Sequence, residues 1–181
     1  LELDAKAAGI APEDVLPTST GVIGAQLKMD KWAAAAPQLA ASLGQATAMD
    51  VAKAMMTTDS FPKLVAKTVA LPGGEVRVLG MCKGAGMICP NMATMLGFIL
   101  CDADVDPKDW QEILSYAADR SFNALTVDGD TSTNDTVLAL ANGASQVAAR
   151  DQKSLRLLRE AVIKVCQELS YRIVQDAEGG T

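Results

Sequence analysis

The chain has no histidine among its 181 residues. A serine or cysteine nucleophile paired with a histidine base therefore cannot be assembled from it, and the commonest metal-binding side chain is missing as well. Aromatic residues make up only 4%, and 16 Lys+Arg are outweighed by 22 Asp+Glu, giving a net charge of −6 and a pI near 4.6. That balance argues against a nucleic-acid partner, which calls for basic patches and often for stacking rings. No apolar run approaches the ~20 residues needed to cross a bilayer. No basic-then-apolar signal segment opens the sequence at Leu1, so no membrane association is expected. The four cysteines, Cys82, Cys89, Cys101 and Cys166, form no Cys-x-x-Cys pair, and no zinc site is expected. Cys82, Cys101 and Cys166 lie in apolar patterns as small core residues. They point to a reducing, cytoplasmic setting rather than a disulfide framework.

What is present is the composition of a globular chain, 49% hydrophobic and 21% charged, long enough to bury a sizeable core. Ala5–Ala8 reads as the end of a helix stopped by Gly9, and 12–17 as a connecting turn. Asp30 is placed to cap a helix reaching Leu43, with Pro37 splitting or restarting it. A second helix covers about 48–56 and stops at Thr57-Thr58-Asp59-Ser60. Two partly alternating β-branched runs, 63–71 and 75–82, joined by Pro72-Gly73-Gly74, predict a hairpin. Runs 94–100 and 136–141 read as buried strands, the second halted by Asn142-Gly143. Asp106-Pro107 opens a helix with Trp110, Ile113, Leu114, Ala117 and Ala118 on one face. Asp151 or Ser154 starts a long amphipathic helix to about Val174. Such alternation, without repeats or linkers, predicts an α/β fold: a layered sandwich of helices on a mixed β-sheet. The methionines at 55, 56, 92 and 95 read as core.

The most informative stretch is Lys83-Gly84-Ala85-Gly86-Met87-Ile88-Cys89-Pro90-Asn91-Met92-Ala93-Thr94, which delivers a threonine to the head of an apolar run. A threonine hydroxyl is a poor nucleophile without a base in hydrogen-bond reach. With histidine absent, one solution is the threonine's own α-amino group, freed when the chain is cut just before it. An α-amine titrates near ~8, so a useful fraction is neutral and able to accept a proton near neutral pH. By spacing alone such a loop is a tight turn before a strand, and an Ala-Thr pair is no evidence of chemistry.

The loop resembles the self-cleavage site of the ornithine acetyltransferase (glutamate N-acetyltransferase) family, and four further segments match that family in order, across nearly all 181 residues. Thr94 takes the position of its nucleophile, and the resemblance implies cleavage between Ala93 and Thr94. Thr20 and Gly21, in Ser19-Thr20-Gly21-Val22-Ile23-Gly24, take the oxyanion-hole positions, where pre-aimed donors are worth several kcal/mol. Thr57 and Lys83 are implied substrate contacts, the lysine as a point charge for an amino-acid carboxylate. Glu178 is a third, suited to the side-chain amine of ornithine. Read without the family, Thr20-Gly21 is a glycine turn, Thr57 a polar helix terminus, Lys83 a solvated loop lysine and Glu178 a solvated acid.

The stretch from Ser121 to Thr136 is the family's most distinctive. Its Asp128–Thr136 portion superficially resembles a calcium loop, but the positions of the required glycine and the distal glutamate hold Thr133 and Ala139, so metal binding is rejected. Its short polar side chains bond their own backbone and read as rigid scaffold.

The resemblance implies a D-aminopeptidase-like layered fold and acetyl transfer from N2-acetylornithine to glutamate, in arginine biosynthesis, by a ping-pong route through acetyl-threonine. It implies no cofactor and no metal, small-molecule substrates only, and a heterotetramer with two copies of each cleaved chain. It leaves acetyl-CoA open as a co-substrate for glutamate N-acetylation. Family members are longer, with an Asn and a Thr contact beyond Thr181. The chain is thus expected to be one catalytic region of a longer protein, 1–93 ending the α chain and 94–181 starting the β chain. Running unbroken through 93–94, it is either precursor or two mature chains under one numbering. A self-cleaving aminopeptidase or amidase of the same architecture, and a non-catalytic module using 83–86 as an anion cradle, are the alternatives.

Overall fold

Short helices make up the first of the two units into which the chain divides, Leu1–Val51, and a sheet with two long helices makes up the second, Ala52–Thr181. The computed structural model describes residues 1–22, 24–86, 95–127, 129 and 134–177. In the first unit, helix α1 (Glu2–Ala8) ends at Gly9, whose φ of +71° is the left-handed cap that glycine adopts without strain. Helix α2 spans Met29–Ala41 and differs from expectation twice. Asp30 lies in its first turn rather than at the cap, and the helix continues through Pro37. Proline removes one hydrogen bond and crowds the carbonyl four residues back. Here that residue is Ala33, in the run Ala33–Ala36, whose small side chains and high propensity carry the helix past it. Helix α3 (Ala48–Met55) starts from a reciprocal cap: the Asp50 amide donates to Thr47 Oγ1 at 3.2 Å, and the Thr47 amide donates to Asp50 Oδ2 at 2.9 Å.

The second unit contains four strands in the order β1-β2-β3-β4: Lys63–Leu71, Gly74–Lys83, Leu96–Cys101 and Thr136–Ala141. The expected hairpin is present, with Leu71 opposite Gly74 and Lys63 opposite Cys82. β2 and β3 are antiparallel, from Val78 opposite Cys101 to Lys83 opposite Leu96. β3 and β4 are parallel, which requires a crossover connection, and helix α4 (Pro107–Asp119) supplies it. The Asp106 carboxylate caps α4 by accepting from the Lys108 amide at 2.9 Å. Asp151 caps α5 (Gln152–Gln175) by accepting from the Lys153 and Ser154 amides, both at 3.0 Å. The sheet is mixed and the class is α/β, as the alternation of patterns predicts. No helix among the described residues is long and apolar enough to cross a membrane.

Alternation along each strand assigns the faces. Val65, Val76, Val78, Cys82, Ile99 and Cys101 join Leu158, Val162, Val165, Cys166, Leu169 and Ile173 of α5 in one core. Gly80 shows how closely α5 lies on β2: a Cβ there would sit 2.4 Å from Val165 Cγ1 and 2.8 Å from Leu169 Cδ1. The opposite face carries Leu79, Met81, Leu96, Phe98, Leu100 and Leu138, which explains why β3 reads as an unbroken apolar run. β4 corrects the expectation of a second buried strand. It is the edge of the sheet, half-buried along its length, with Leu140 48% exposed, because its outer side has no neighbouring strand among the described residues.

One ionic cluster joins this sheet to the segments around it. Lys63 opens β1 on the helix-covered face and is fully buried. Its ammonium donates to Asp59 Oδ1 at 2.6 Å and to Asp176 Oδ2 at 2.5 Å, with the Phe61 ring centroid 5.0 Å away. Asp176, just past α5, also accepts from the Ser60 amide at 3.0 Å with each oxygen. Asp59 accepts from the Gly84 amide at 2.7 Å and the Thr57 amide at 3.2 Å. Burial pushes both carboxyls up, but these donors outweigh it and hold Asp59 and Asp176 below the ordinary carboxylate range.

Two stability measurements check this account. Gly80→Ala should lose ~1–3 kcal/mol by overpacking against a β-branched side chain with no room to swing. Adding Val165→Ala should recover part of that loss in urea denaturation. Lys63→Met leaves two buried carboxylates without their cation and should lose ~3–5 kcal/mol near neutral pH. The deficit should narrow as the pH falls toward about 4, because protonated carboxyls cost less to bury. A depressed carboxyl stabilises the fold above its unfolded pKa and ceases to do so as the pH falls through its folded one. The unsubstituted protein should therefore lose this contribution only in acid.

Candidate active site

The end of the hairpin where β2 meets β3 gathers the polar groups of the second unit. Lys83 is the last residue of β2 and projects from the face opposite Lys63, since it follows by one residue Cys82, the strand position paired with Lys63. It is no solvated loop lysine: only 2% of its surface is exposed. Its ammonium donates to Thr57 Oγ1 at 3.1 Å, and Thr57 itself is exposed. Burial lowers the Lys83 pKa, while the nearby Asp59 and Asp135 carboxylates act to raise it. The ammonium is thus partly desolvated and under the influence of two carboxylates.

Asp59 fixes this arrangement. By accepting from the Thr57 and Gly84 amides it holds the turn after α3 against the residue following Lys83. Through Lys63 it is tied to Asp176, two residues before Glu178. The structure therefore brings Thr57 and Lys83 together and anchors the chain that leads to the third implied contact. Ala93, Thr94 and Glu178 themselves lie outside the described residues. So do Asp128 and residues 130–133 of the polar stretch read as scaffold, of which 129 and, at its end, 134–136 are described.

That end is informative. The Asp135 carboxylate accepts from the Met95 amide at 2.6 Å through Oδ1, and the Thr136 amide donates to the Met95 carbonyl at 3.1 Å. Both peptide groups of the residue following Thr94 are therefore held. Asp135 Oδ2 is buried with no hydrogen-bond partner. Burial pushes this carboxyl up to about 6, against the pull of the Met95 amide and the Lys83 charge.

Thr20 and Gly21 lie in the first unit, in an extended segment outside any helix or strand. Thr20 is half-buried and Gly21 exposed. A Cβ at Gly21 would meet nothing within 4 Å, and its φ is not in the left-handed region. Neither packing nor backbone conformation among the described residues requires glycine there. The neighbouring Thr18 and Ser19 line a largely apolar cavity of about 370 Å³ with Leu16, Leu27 and Trp32.

Sequence reasoning missed Lys63, Asp59, Asp135 and Asp176. Asp59 and Asp135 sat inside segments already singled out, read as a helix terminus and as scaffold. Lys63 carried a usable signal, a cation at a core-facing position of an alternating strand. Asp176 carried none.

The ArgJ family model matches residues 1–181. The chain is 59% identical over 181 residues to the arginine biosynthesis bifunctional protein ArgJ of Nitratidesulfovibrio vulgaris, covering 100% of this chain and 46% of that one. It is 48% identical over 182 residues to the protein of the same name from Thermosynechococcus vestitus, covering 99% and 43%. A crystal structure of arginine biosynthesis bifunctional protein ArgJ from Bacillus halodurans aligns over 45% of this chain and 39% of that chain, at 34% identity and a TM-score of 0.43. The chain thus spans less than half the length of the curated relatives it matches. With the whole of its own length matched by one family model and these identities behind it, the chain belongs to the ArgJ family.

Proposed function

We propose that the protein carrying this chain cuts itself between Ala93 and Thr94 and then transfers the acetyl group of N2-acetylornithine to glutamate through acetyl-Thr94. The observation that carries this reading is the meeting, at one end of the sheet, of the Lys83 ammonium, the Thr57 hydroxyl and the anchored amide of Met95, the residue after Thr94. Relatives named as bifunctional arginine biosynthesis proteins support the substrate class.

In maturation, Thr94 Oγ attacks the Ala93 carbonyl, the peptide C–N bond breaks, and the acyl group moves to oxygen. Water opens the ester, leaving the Ala93 carboxylate and the free amine of Thr94. In turnover, Thr94 Oγ attacks the acetyl carbonyl while its proton passes to that amine, and the carbonyl electron pair becomes an oxyanion assigned to Thr20 and Gly21. Collapse breaks the acetyl C–N bond, and the amine's proton leaves on the ornithine nitrogen. Glutamate's amine then collects the acetyl group by the reverse sequence. Lys83 pairs with the amino-acid carboxylate beside Thr57, and Glu178 with the side-chain ammonium of ornithine. Acetyl-CoA is a second acetyl donor in the bifunctional form of this reading. No cofactor or metal enters the steps, the substrates are small molecules, and the setting is the cytoplasm. Residues 1–93 end one mature chain and 94–181 start the other, assembled as two copies of each.

Mass spectrometry of the complete protein tests the reading. Two fragments, one beginning at Thr94, and an acetyl adduct on that threonine after N2-acetylornithine is added are the expected result. An uncut chain would instead indicate a binding module, and an adduct that water clears faster than glutamate would indicate an amidase. Thr94→Ala should be uncut and inactive, while Thr94→Ser, which keeps the oxygen but loses the methyl that restricts χ1, should cut slowly and keep reduced activity. Lys83→Met, assayed at pH 8, should raise KM for glutamate ~10-fold or more with kcat little changed, as for a charged contact made equally in ground and transition states.

A further inference from the structure

The two carboxylates on Lys63 share one cation but hold different backbone groups. Asp176 accepts from the Lys63 ammonium and, with both oxygens, from the Ser60 amide, whose residue takes no part in the candidate site. Asp59 Oδ1 accepts from Lys63 at 2.6 Å and from the Gly84 amide at 2.7 Å, and its Oδ2 accepts from the Thr57 amide at 3.2 Å. One buried side chain thereby holds the backbone of Thr57 and of the residue after Lys83, and it is Thr57 and Lys83 whose side chains meet at 3.1 Å. Gly84 presents its N–H to Asp59 at a φ of +148°, a conformation that L side chains rarely adopt. We propose that Asp59 is the positioning residue of the substrate-carboxylate site, acting on the substrate through Thr57 and Lys83, a role that Asp176 does not share. The inference rests on the reading in which Lys83 pairs with the amino-acid carboxylate, and it names the group that aims that lysine.

Asp59 acts by two routes. The first is placement. A lysine carries a compact charge on a flexible four-carbon stem, so the position of its ammonium depends on what fixes the base of the stem and what meets its tip. The Gly84 amide fixes the base, through the peptide that joins it to Lys83, and the Thr57 hydroxyl meets the tip. Both constraints end on Asp59. A site ordered in advance loses less affinity to ordering when the substrate arrives. Such a contact is made equally in ground and transition states, so its loss falls on KM.

The second route is charge. Burial pushes the Lys83 pKa down, while Asp59, from the turn after α3, and Asp135, at the entry to β4, pull it up. Asp59 itself is faced by Lys63 of β1, with Asp176 beyond it, and by the Cys82 thiol of β2, which burial pushes up to about 12 and so keeps neutral. Its donors hold the Asp59 carboxyl below the ordinary range, so its charge persists wherever the lysine is protonated near neutral pH. Without that charge Lys83 gives up its proton at a lower pH, and its hold on a carboxylate fails there.

The experiment measures KM for glutamate in the complete protein at saturating N2-acetylornithine. Asp59→Asn keeps one oxygen, but whichever way its amide is set, an N–H faces one of the donors that Asp59 now accepts from. It should raise KM about tenfold or more with kcat within threefold. Combined with Lys83→Met it should raise KM no more than twofold beyond Lys83→Met alone, because it acts through a side chain already gone. The rise in Asp59→Asn should be at least three times that in Asp176→Asn, although both take one charge from Lys63. On the alkaline side, KM in Asp59→Asn should begin to climb at least half a pH unit below where it does in the unsubstituted protein. Asp59→Glu, which keeps the charge but displaces it by one methylene, covers the case in which Asp59→Asn does not fold, and should raise KM threefold or more with kcat within twofold. Effects that multiply in the double variant, an equal KM rise in Asp176→Asn, an unshifted alkaline limb or an unchanged KM in Asp59→Glu would each overturn the proposal and leave Asp59 a structural residue. An unchanged KM in Lys83→Met removes the reading of Lys83 and this inference together.

Discussion

The ammonium of Lys63, sealed between Asp59 and Asp176, holds the second unit in register with its own periphery. Three segments that have no backbone ladder in common converge on it: the turn after α3, the first residue of β1 and the end of α5. A buried ion pair is poor evidence for stability, because stripping water from the charges offsets most of their attraction. Its effect here is positional. A carboxylate deprived of water accepts only one arrangement of donors, so Asp59 cannot satisfy Lys63 without also drawing in the Thr57 and Gly84 amides. The polar end of the hairpin is consequently specified by charge, while the rest of the unit is specified by apolar packing.

The two faces of the sheet divide the labour. On one, α5 lies so close that position 80 tolerates no side chain, and the core is continuous from β1 to Ile173. On the other, Lys83 emerges among apolar neighbours and finds its partners only at the strand's end. Asp59 binds Lys63 of the first face and the amides of Thr57, the partner of Lys83, and of Gly84, the residue after it. Shifting the hairpin by one residue would exchange the lysines between faces; the register Lys63 opposite Cys82 is therefore a condition for the site as much as for the core.

Much of this was legible in the sequence, for identifiable reasons. The hairpin, β3, α4 and α5 carry local signals: a Pro-Gly-Gly turn, an apolar run, and aspartates at two caps that the structure uses as such. Thr57 and Lys83 were legible through the family pattern, and the structure places their side chains in contact. Most of the misses share a cause, which is distance along the chain, whereas the continuation of α2 has a local one. Propensity at Ala33–Ala36 outweighed a proline that a local rule takes as a break. β4 looked buried because an apolar run does not report whether a strand is central or at an edge. The partners of Lys63 lie four residues upstream and 113 downstream, and no periodicity links them. Asp135 was hidden in a stretch whose polar residues all look alike until one of them is seen on the Met95 amide.

The β2–β3 ladder, from Val78 opposite Cys101 to Lys83 opposite Leu96, has a consequence for assembly. Its two strands lie on either side of position 94, as do Lys63 and Asp176. If the proposed cut is made there, the middle of the sheet and its buried ion pair become an interface between two polypeptides that folded as one. Before the cut, recovery from denaturation is a first-order search by one chain. After it, the same ladder can be rebuilt only when two strangers collide, so recovery becomes second-order and depends on concentration. A form cut in this way would be preserved by the slowness of its unfolding, its native pairing a memory of a covalent bond that no longer exists.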